Sequence, residues 1–381
     1  MIEKPAPSRI YYPGLDLVRF SAALLVALFH LGYDRWAYPH HSSGATSTPS
    51  IADIRYEEIA GISSVGWMGV AIFFILSGFV IALSAEHQNA ARFLFKRSRR
   101  IFPALWICTA IGSAVLLTFE PASMVMGKAL RSVILWPGGG WFDGVVWTLV
   151  VECQFYALVA LFLVVRKRDP LPTVALACAV LNAIAFGLLW QFEAGLEIVR
   201  AFRVAQFGGY FSVGICLYLL TRRGFDLRIA ALLIASFTLC VIETRSAWSV
   251  KIKGLEDAFA FEAALIVLLA GFAAIAISAA RPASVVPGWI RLVGLTTYPL
   301  YLLHSLVGLP TIAFLTGSGV SRYASLAVGI GASIAVSMLV ATALEPWLQT
   351  RFDRVRRGAE KLVAQQRFSF SAPRRSRGFG R

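Results

Sequence analysis

Two ionisable residues stand out within the first apolar run of the chain, residues 14–31 (GLDLVRFSAALLVALFHL). Arg19 and His30 are eleven positions apart, almost three helical turns, so we expect both side chains on one face, about 16 Å apart along the axis. A histidine titrates near neutral pH and can take a proton from a hydroxyl. Ionisable groups in a membrane helix are costly unless they face the protein interior or water. The spacing therefore predicts a site that both residues line, and a structural histidine bonded to a neighbouring helix is the alternative.

A second basic group lies where the third apolar run begins, in the segment RSRRIFPALW. Arg97 and Arg100 are three positions apart and share a helix face, whereas Arg99 points elsewhere. Guanidinium groups bind phosphate through paired hydrogen bonds, so this pair is suited to capture a phosphate-bearing ligand. Basic residues also anchor membrane helices on the cytoplasmic side, and charge alone does not separate the two roles.

The fourth apolar run contains one acidic residue, Glu152, in the segment VVWTLVVECQFYAL. A lone glutamate in a membrane helix needs a partner. We expect it near the depth of His30, where it would orient and stabilise that imidazole, hold an acceptor hydroxyl, or make a structural hydrogen bond to a neighbouring helix. Trp147 in the same run suits the membrane interface or the lining of a substrate cavity.

The ninth run, LTTYPLYLLHSLVGLP, carries a second imidazole, His304, close to Tyr298 and Tyr301. Pro299 in this run frees a backbone carbonyl that needs a partner, so polar packing is the favoured interpretation of these residues. Substrate binding by Tyr298 and His304 is the functional alternative.

Apolar runs long enough to cross a bilayer recur along the whole chain. The 381 residues are 57% hydrophobic and only 15% charged, against about 25% charged in soluble domains. This composition predicts an all-α, polytopic membrane protein, because the strands of a membrane barrel would alternate over segments of about ten residues. Ten helices are predicted near residues 15–33, 67–84, 101–118, 145–165, 172–190, 202–220, 227–243, 259–279, 293–316 and 323–345.

Small residues and cysteines within these runs are assigned to packing. Ser77 and Gly78 form a small pair in the middle of the second run, which allows close approach of another helix. The five cysteines all fall in apolar runs without a CxxC motif, so we expect buried thiols rather than disulfides. No cluster of ligand-type residues predicts a metal site.

The net charge of +15 is distributed unevenly across the predicted membrane. Most lysines and arginines fall on the side of the N-terminus, which predicts that both termini are cytoplasmic. The chain then divides into a cytoplasmic N-terminus (1–14), a transmembrane domain (15–346) and a basic cytoplasmic tail (347–381). We expect the tail to contact anionic lipid headgroups rather than nucleic acid.

Five motifs follow one another along these predicted helices. They are the Arg19-x10-His30 spacing, FFILSGF in the second run, RSRRIFPALW in the third, WTLVVECQFY in the fourth and YPLYLLH in the ninth. Together they resemble the acyltransferase-3 family of membrane-embedded O-acyltransferases. Each motif alone is weak, but five in order are specific, and the resemblance covers about residues 15–346.

The resemblance implies an enzyme that moves an acyl group, usually acetyl, from cytoplasmic acyl-CoA to a hydroxyl of a carbohydrate outside the inner membrane. Members of that family modify lipopolysaccharide O-antigens, exopolysaccharides, peptidoglycan, Nod factors and some antibiotics, so the implied acceptor is a carbohydrate or a lipid-linked glycan. Residue by residue, it makes His30 the catalytic histidine, Arg19, Arg97 and Arg100 the acyl-CoA-binding groups, and Glu152 an acidic residue of the site. It also implies the stand-alone type, without an appended esterase-like domain.

The chemistry of the predicted site leaves alternatives open. Coenzyme A is polyanionic, so we expect the arginines to hold its phosphates while the pantetheine arm extends through a tunnel to His30. There His30 either deprotonates the acceptor hydroxyl or takes the acyl group itself. A proton-coupled carrier with a His, Glu and Arg relay is the main competing function, and a non-catalytic scaffold is a third.

Overall fold

The computed structural model describes residues 11–37, 54–165, 169–191, 202–251, 261–351 and 354. Helices dominate this part of the chain, in which the one β-type contact is an isolated bridge between Tyr11 and Ala283. Most of the predicted N-terminal segment and basic tail lies outside the described residues, so the domain boundaries stay predictions. The helix that precedes the tail extends past the predicted boundary at 346, to Arg351.

Ten helices, numbered here in chain order, correspond to the ten predicted apolar runs. They are α1 (Pro13–Phe29), α2 (Met68–Ala85), α3 (Ala90–Leu116), α4 (Trp147–Val165), α5 (Leu171–Gln191), α6 (Gly208–Arg223), α7 (Leu227–Lys251), α8 (Phe261–Ala279), α9 (Gly288–Gly317) and α10 (Arg322–Leu339). Within the described residues, eight helices are long and apolar enough to cross a membrane. The remaining two are α5, which is counted as a shorter apolar helix over Leu171–Gly187, and α6, which has 16 residues. The prediction of an all-α, polytopic membrane protein is confirmed.

The start of α3 differs from its prediction and matters for the site. The helix begins at Ala90 rather than near residue 101, because the side chain of Asn89 caps it by accepting a hydrogen bond from the backbone N–H of Arg92 at 2.9 Å. The cluster Arg97–Arg100 therefore lies two helical turns inside α3. Its side chains are fixed to helix faces rather than to a loop.

The first helix does not end in a simple cap. Its chain continues from His30 to Asp34 as one π-helical turn and then from Arg35 to Ala37 as a short α-helix. A π-helical turn inserts one extra residue into the helix and is frequent at functional sites. His30 is the first residue of this turn, so the backbone geometry changes at the predicted catalytic residue.

The helices pack around α1, α2 and α9. Helix α9 packs against α1, α3 and α10, and α6 packs against α2, α5 and α7. At the contact of α2 with α6, a Cβ atom on Gly78 would lie 2.3 Å from the carbonyl oxygen of Phe211, and one on Gly214 would lie 2.0 Å from that of Ile75. The backbones therefore touch, as small residues in membrane helices permit. The packing role predicted for Gly78 matches this contact.

Candidate active site

A cavity of about 830 Å³ lies between α1, α2, α3, α4 and α9. Its volume falls within the range of small-molecule and cofactor sites, about 300–1,000 Å³. Along α2 it extends from Val70 to Ile81, a distance of about 16 Å. We name its two ends by their residues: the basic end (Arg19, Lys96, Arg97, Arg100 and Arg291) and the tyrosine end (Phe73, Thr148 and Tyr301).

The basic end collects positive charge from three helices. Five basic residues line the cavity against two acidic ones, Asp16 and Glu152. Arg97 donates a hydrogen bond to the hydroxyl of Ser84 at 2.8 Å, which holds its guanidinium in place. Arg99 does not line the cavity. The predicted sharing of one face by Arg97 and Arg100 is thus matched, and this end is suited to bind an anion.

A short chain of polar contacts orients Arg19 at this end. The Arg19 guanidinium donates to Asp16 at 2.9 Å, and the hydroxyl of Tyr11 donates to the same carboxylate. Burial, together with this bond, raises the pKa of Tyr11 to about 12, so its hydroxyl remains a donor at neutral pH. Arg291 lies over the ring of Tyr11, 5.4 Å from its centroid. Tyr11 therefore links two of the five basic residues.

Glu152 lines the cavity between its two ends, and its hydrogen-bond partners differ from the expected partner, His30. Its Oε1 accepts a hydrogen bond from Ser77 at 3.0 Å and another from Tyr156. The interpretation that Glu152 orients His30 does not match this geometry, because α4 packs on α2, α3 and α5 and the bonds of Glu152 stay on that side. The geometry matches structural hydrogen bonds, from a position that still faces the cavity.

His30 is paired with the second imidazole that the sequence singled out. Nδ1 of His30 lies 2.9 Å from Nε2 of His304, and the ring centroids are 5.0 Å apart. Nδ1 of His304 in turn lies 2.9 Å from the backbone carbonyl oxygen of Tyr301. Polar packing is therefore one function of His304, which is fully buried. Its partner is the predicted catalytic residue.

The carbonyl oxygen of Tyr301 fixes the tautomers of both rings. A carbonyl only accepts hydrogen bonds, so Nδ1 of His304 carries a hydrogen. In a neutral ring Nε2 of His304 is then the acceptor, and Nδ1 of His30 must be the donor to it. The lone pair of neutral His30 consequently lies on Nε2. The hydrogen bond to His304 therefore makes Nε2 the basic nitrogen of His30, on the side of the ring away from His304.

The cavity ends one aromatic layer before this histidine pair. Neither histidine lines it; Phe73 and Tyr301 form its wall, with ring centroids 5.4 Å apart. Tyr301 also lies beside the pair, 6.2 Å from the ring of His304. The expected tunnel is therefore present from the arginines to Tyr301 and closed at its last step.

The two remaining predicted substrate-binding residues occupy different places. Tyr298 lines the cavity, and its hydroxyl donates to the carbonyl oxygen of Ile101 at 3.3 Å. Trp147 lies outside the cavity lining, in contact with Phe74 and Phe207 and with the guanidinium of Arg203 5.6 Å from its ring centroid. Tyr298 is thus at the cavity, whereas Trp147 stands next to it.

Sequence reasoning missed several residues of this region. Arg291 was indistinguishable from other basic residues that flank apolar runs, and Tyr11 and Thr148 carried no spacing signal. Asp143 was also overlooked: it is 4% exposed, one carboxylate oxygen caps the backbone N–H of Val145, and the other has no hydrogen-bond partner among the described residues. An aspartate in the glycine-rich segment LWPGGGWFDG, directly before an apolar run, is the sequence signal that could have drawn attention to it.

Comparison with known proteins identifies the family to which the chain belongs. The family model described as an acyltransferase domain (Acyl_transf_3) matches residues 12–344. Nodulation protein 10 of Rhizobium leguminosarum is 28% identical over 179 residues, 41% of this chain and 45% of that protein. The exopolysaccharide production protein ExoZ of Rhizobium meliloti is 28% identical over 123 residues, 29% of this chain and 39% of that protein.

A third relative is the peptidoglycan O-acetyltransferase OatA of Listeria monocytogenes, 25% identical over 182 residues, 42% of this chain and 25% of that protein. The matched region spans less than half the length of each of these relatives. No solved structure matches the chain significantly. Because the family model covers nearly all of the helical region, the chain belongs to the acyltransferase-3 family of integral membrane proteins.

Proposed function

We propose that this protein is an O-acyltransferase of the inner membrane, which transfers an acyl group from acyl-CoA on the cytoplasmic side to a hydroxyl of an exported or cell-surface carbohydrate. Acetyl is the expected group. The observation that carries the proposal is the cavity itself, which runs from a cluster of basic side chains to the tyrosine beside a histidine pair. The names of the relatives support a peptidoglycan or exopolysaccharide type of acceptor.

The basic end is the place where we expect the donor to bind. The phosphates of acyl-CoA are anionic, and Arg97 and Arg100 offer paired donors that suit them, with Arg19 deeper in the cavity. The cavity wall also contains apolar residues such as Leu76 and Val80, which suit the pantetheine arm. The arm then directs the thioester toward Tyr301.

The histidine pair supplies the base. With its Nδ1 hydrogen held by His304, His30 presents the lone pair of Nε2 to an acceptor hydroxyl and takes its proton as the hydroxyl attacks the thioester carbon. The sulfur of coenzyme A leaves and receives that proton. Because Phe73 and Tyr301 close the cavity, the thioester reaches His30 only after one of these rings moves.

Two further residues have proposed roles around the acceptor. Trp147 offers an aromatic face near Arg203, an arrangement that suits a sugar ring with polar substituents. Glu152 faces the cavity between its two ends and is suited to accept a hydrogen bond from the donor or the acceptor.

The experiment that tests the proposal uses purified protein in liposomes, radiolabelled acetyl-CoA, and membrane vesicles of the native host as the source of glycan. We expect label in the glycan with wild-type protein and none with His30→Ala that accumulates normally. A carrier would move solute and label nothing. Absence of transfer by wild-type protein, with acetyl-CoA and longer acyl-CoA donors alike, would reject the proposal.

A second measurement separates the two chemical routes that the sequence left open. If His30 acts as a general base, protein mixed with labelled acetyl-CoA in the absence of glycan and separated rapidly from it at neutral pH carries no label. If it acts as a nucleophile, an acyl-histidine accumulates under the same conditions. We propose the general-base route, which this experiment either supports or excludes.

A further inference from the structure

Acyl transfer needs a donor for the negative charge that develops on the thioester oxygen, and the histidine pair does not provide one. Among residues that line the cavity, most hydroxyl hydrogens are held by carboxylate or carbonyl oxygens. Ser77 and Tyr156 donate to Glu152, Thr297 donates to the carbonyl oxygen of Val293, and Tyr298 donates to that of Ile101. The donor must therefore be sought elsewhere on the cavity wall.

The hydroxyls of Thr148 and Tyr301 form a different arrangement at the tyrosine end. The Thr148 hydroxyl lies 2.9 Å from the carbonyl oxygen of Val145 and 3.0 Å from the Tyr301 hydroxyl. A carbonyl only accepts, so the single hydrogen of Thr148 goes to Val145, and the Tyr301 hydroxyl donates to the Thr148 oxygen. A neutral hydroxyl is a weaker acceptor than an oxyanion, so the Tyr301 hydrogen can exchange this partner for an oxyanion in the cavity that both residues line.

Tyr301 lies between the cavity and the histidine pair, where we expect the reacting carbonyl to be placed. The residue is 6% exposed, and its ring contacts that of Phe73 at the end of the cavity. It lies one helical turn before His304, and its backbone carbonyl receives the bond that fixes the tautomer of that ring. A thioester that advances from the cavity toward His30 therefore passes the Tyr301 hydroxyl.

On these grounds, and assuming the proposed acyl transfer, we propose that the Tyr301 hydroxyl, supported by Thr148, donates a hydrogen bond to the oxyanion of the tetrahedral intermediate. The acceptor oxygen bonds to the carbonyl carbon and its proton passes to Nε2 of His30. The carbonyl oxygen gains the negative charge and accepts the bond from Tyr301. The carbonyl then re-forms, the carbon–sulfur bond breaks, and the sulfur takes the proton from His30. Tyr301 keeps its own proton throughout.

The test is Tyr301→Phe, which removes the hydroxyl and keeps the ring that closes the cavity. Transfer of label from acetyl-CoA to the glycan of host membrane vesicles is measured over a range of acetyl-CoA concentrations. We expect kcat to fall by about 10²–10³, as for loss of one oxyanion donor, with an unchanged KM for acetyl-CoA. Tyr210→Phe is the matched control: it removes another buried hydroxyl, bonded to Thr244 and outside the cavity lining, and keeps wild-type kcat.

Thr148→Val tests the supporting role. Because Thr148 acts through Tyr301, the single variant loses less activity than Tyr301→Phe, and the double variant loses no more than Tyr301→Phe alone. Additive losses would show that Thr148 acts by a separate route and would overturn the supporting role.

The possible outcomes separate this inference from its alternatives. An unchanged kcat in Tyr301→Phe overturns it, and so does a raised KM with unchanged kcat, which would indicate binding of the ground state only. If Tyr301→Phe fails to accumulate, fluorotyrosine at position 301 decides, because its more acidic phenol changes kcat only when the hydroxyl bonds the transition state. Failure of wild-type protein to transfer label rejects the proposed function itself and is thereby distinguished.

Discussion

His30 donates to a neutral imidazole, where many catalytic histidines donate to a carboxylate. Like a carboxylate, His304 fixes the tautomer and the orientation of its partner, but it brings no negative charge. His304 therefore orients the ring of His30 without supplying a counter-charge to it.

We expect His30→Ala to lower the rate of acyl transfer by at least about 10²–10⁴, because it removes the group that takes the proton of the acceptor. Label in glycan and the amount of protein in the membrane fraction are measured together. Persistence of normal transfer with normal accumulation would contradict the assignment of the base.

Substitutions of His304 test whether its hydrogen bond to His30 is needed to orient the His30 ring. The amide oxygen of His304→Gln still accepts from Nδ1 of His30, whereas His304→Leu offers no acceptor. We expect His304→Leu to lower kcat by roughly tenfold, the equivalent of one lost hydrogen bond, and His304→Gln to lose less. Equal losses in the two variants would show that the hydrogen bond to His30 is unimportant.

The arginine pair is tested through the affinity for the donor. We expect Arg97→Ala combined with Arg100→Ala to raise the KM for acetyl-CoA by about tenfold or more, because charge-assisted bonds to phosphate are lost. Arg99→Ala is the matched control, since Arg99 belongs to the same cluster but does not line the cavity. Similar KM values for the double variant and the control would leave membrane anchoring as the role of the cluster.

The sequence was informative at this scale where a charge interrupts an apolar run, as at Arg19, His30 and Glu152. It was uninformative for Thr148 and Tyr301, because hydroxyl-bearing residues in membrane helices are common and have no distinctive spacing. Of the roles left open for Glu152, the orientation of His30 rested on depth alone, and the hydrogen bonds of Glu152 go to Ser77 and Tyr156. Equal depth on two helices does not make them neighbours, and α4 faces α2 and α3.

At the scale of elements, boundaries decide which side chains reach the cavity. Helix α3 begins eleven residues before its apolar run, because its first turns are polar and are capped by Asn89. Hydropathy alone does not detect such a polar helical segment. The π-helical turn that begins at His30 likewise has no sequence signature, since it arises from packing. Helix number and type were predictable from hydropathy, whereas these local departures were not.

The contact of α2 with α6 makes a prediction about stability. Gly78→Ala places a methyl group 2.3 Å from a backbone carbonyl oxygen that belongs to another helix, so we expect a loss of about 1–3 kcal/mol. The measurement is the temperature at which detergent-solubilised protein loses its monodisperse chromatographic peak. Gly331→Ala is the control, because nothing lies within 4 Å of its Cβ. If both variants melt together, the helices do not approach as closely as described.

At the scale of the whole molecule, the two ends of the cavity lie toward opposite ends of the helix bundle. Its basic residues lie near the starts of α1, α3 and α9, and its tyrosine end lies near the start of α4, which runs the opposite way. The uneven distribution of lysine and arginine predicts that the basic end faces the cytoplasm. Donor and acceptor would then approach the histidine pair from opposite sides of the membrane.

This direction predicts sidedness of the donor. In vesicles of known orientation, we expect acetyl-CoA to support transfer only from the side that carries the chain termini, because a polyanion does not cross the bilayer. Protease digestion of a terminal tag reports the orientation. Transfer supported equally from the other side would contradict the predicted topology.

The central claim is that one cavity holds the donor between the arginines and the histidine pair, and a cryo-EM structure with a non-hydrolysable acetyl-CoA analogue tests it most directly. We predict phosphate oxygens within hydrogen-bond distance of Arg97 and Arg100, the pantetheine arm along α2, and the acyl carbonyl at Tyr301 with His30 beyond it. An analogue bound outside this cavity, or bound with its acyl end at the basic end, would contradict the account.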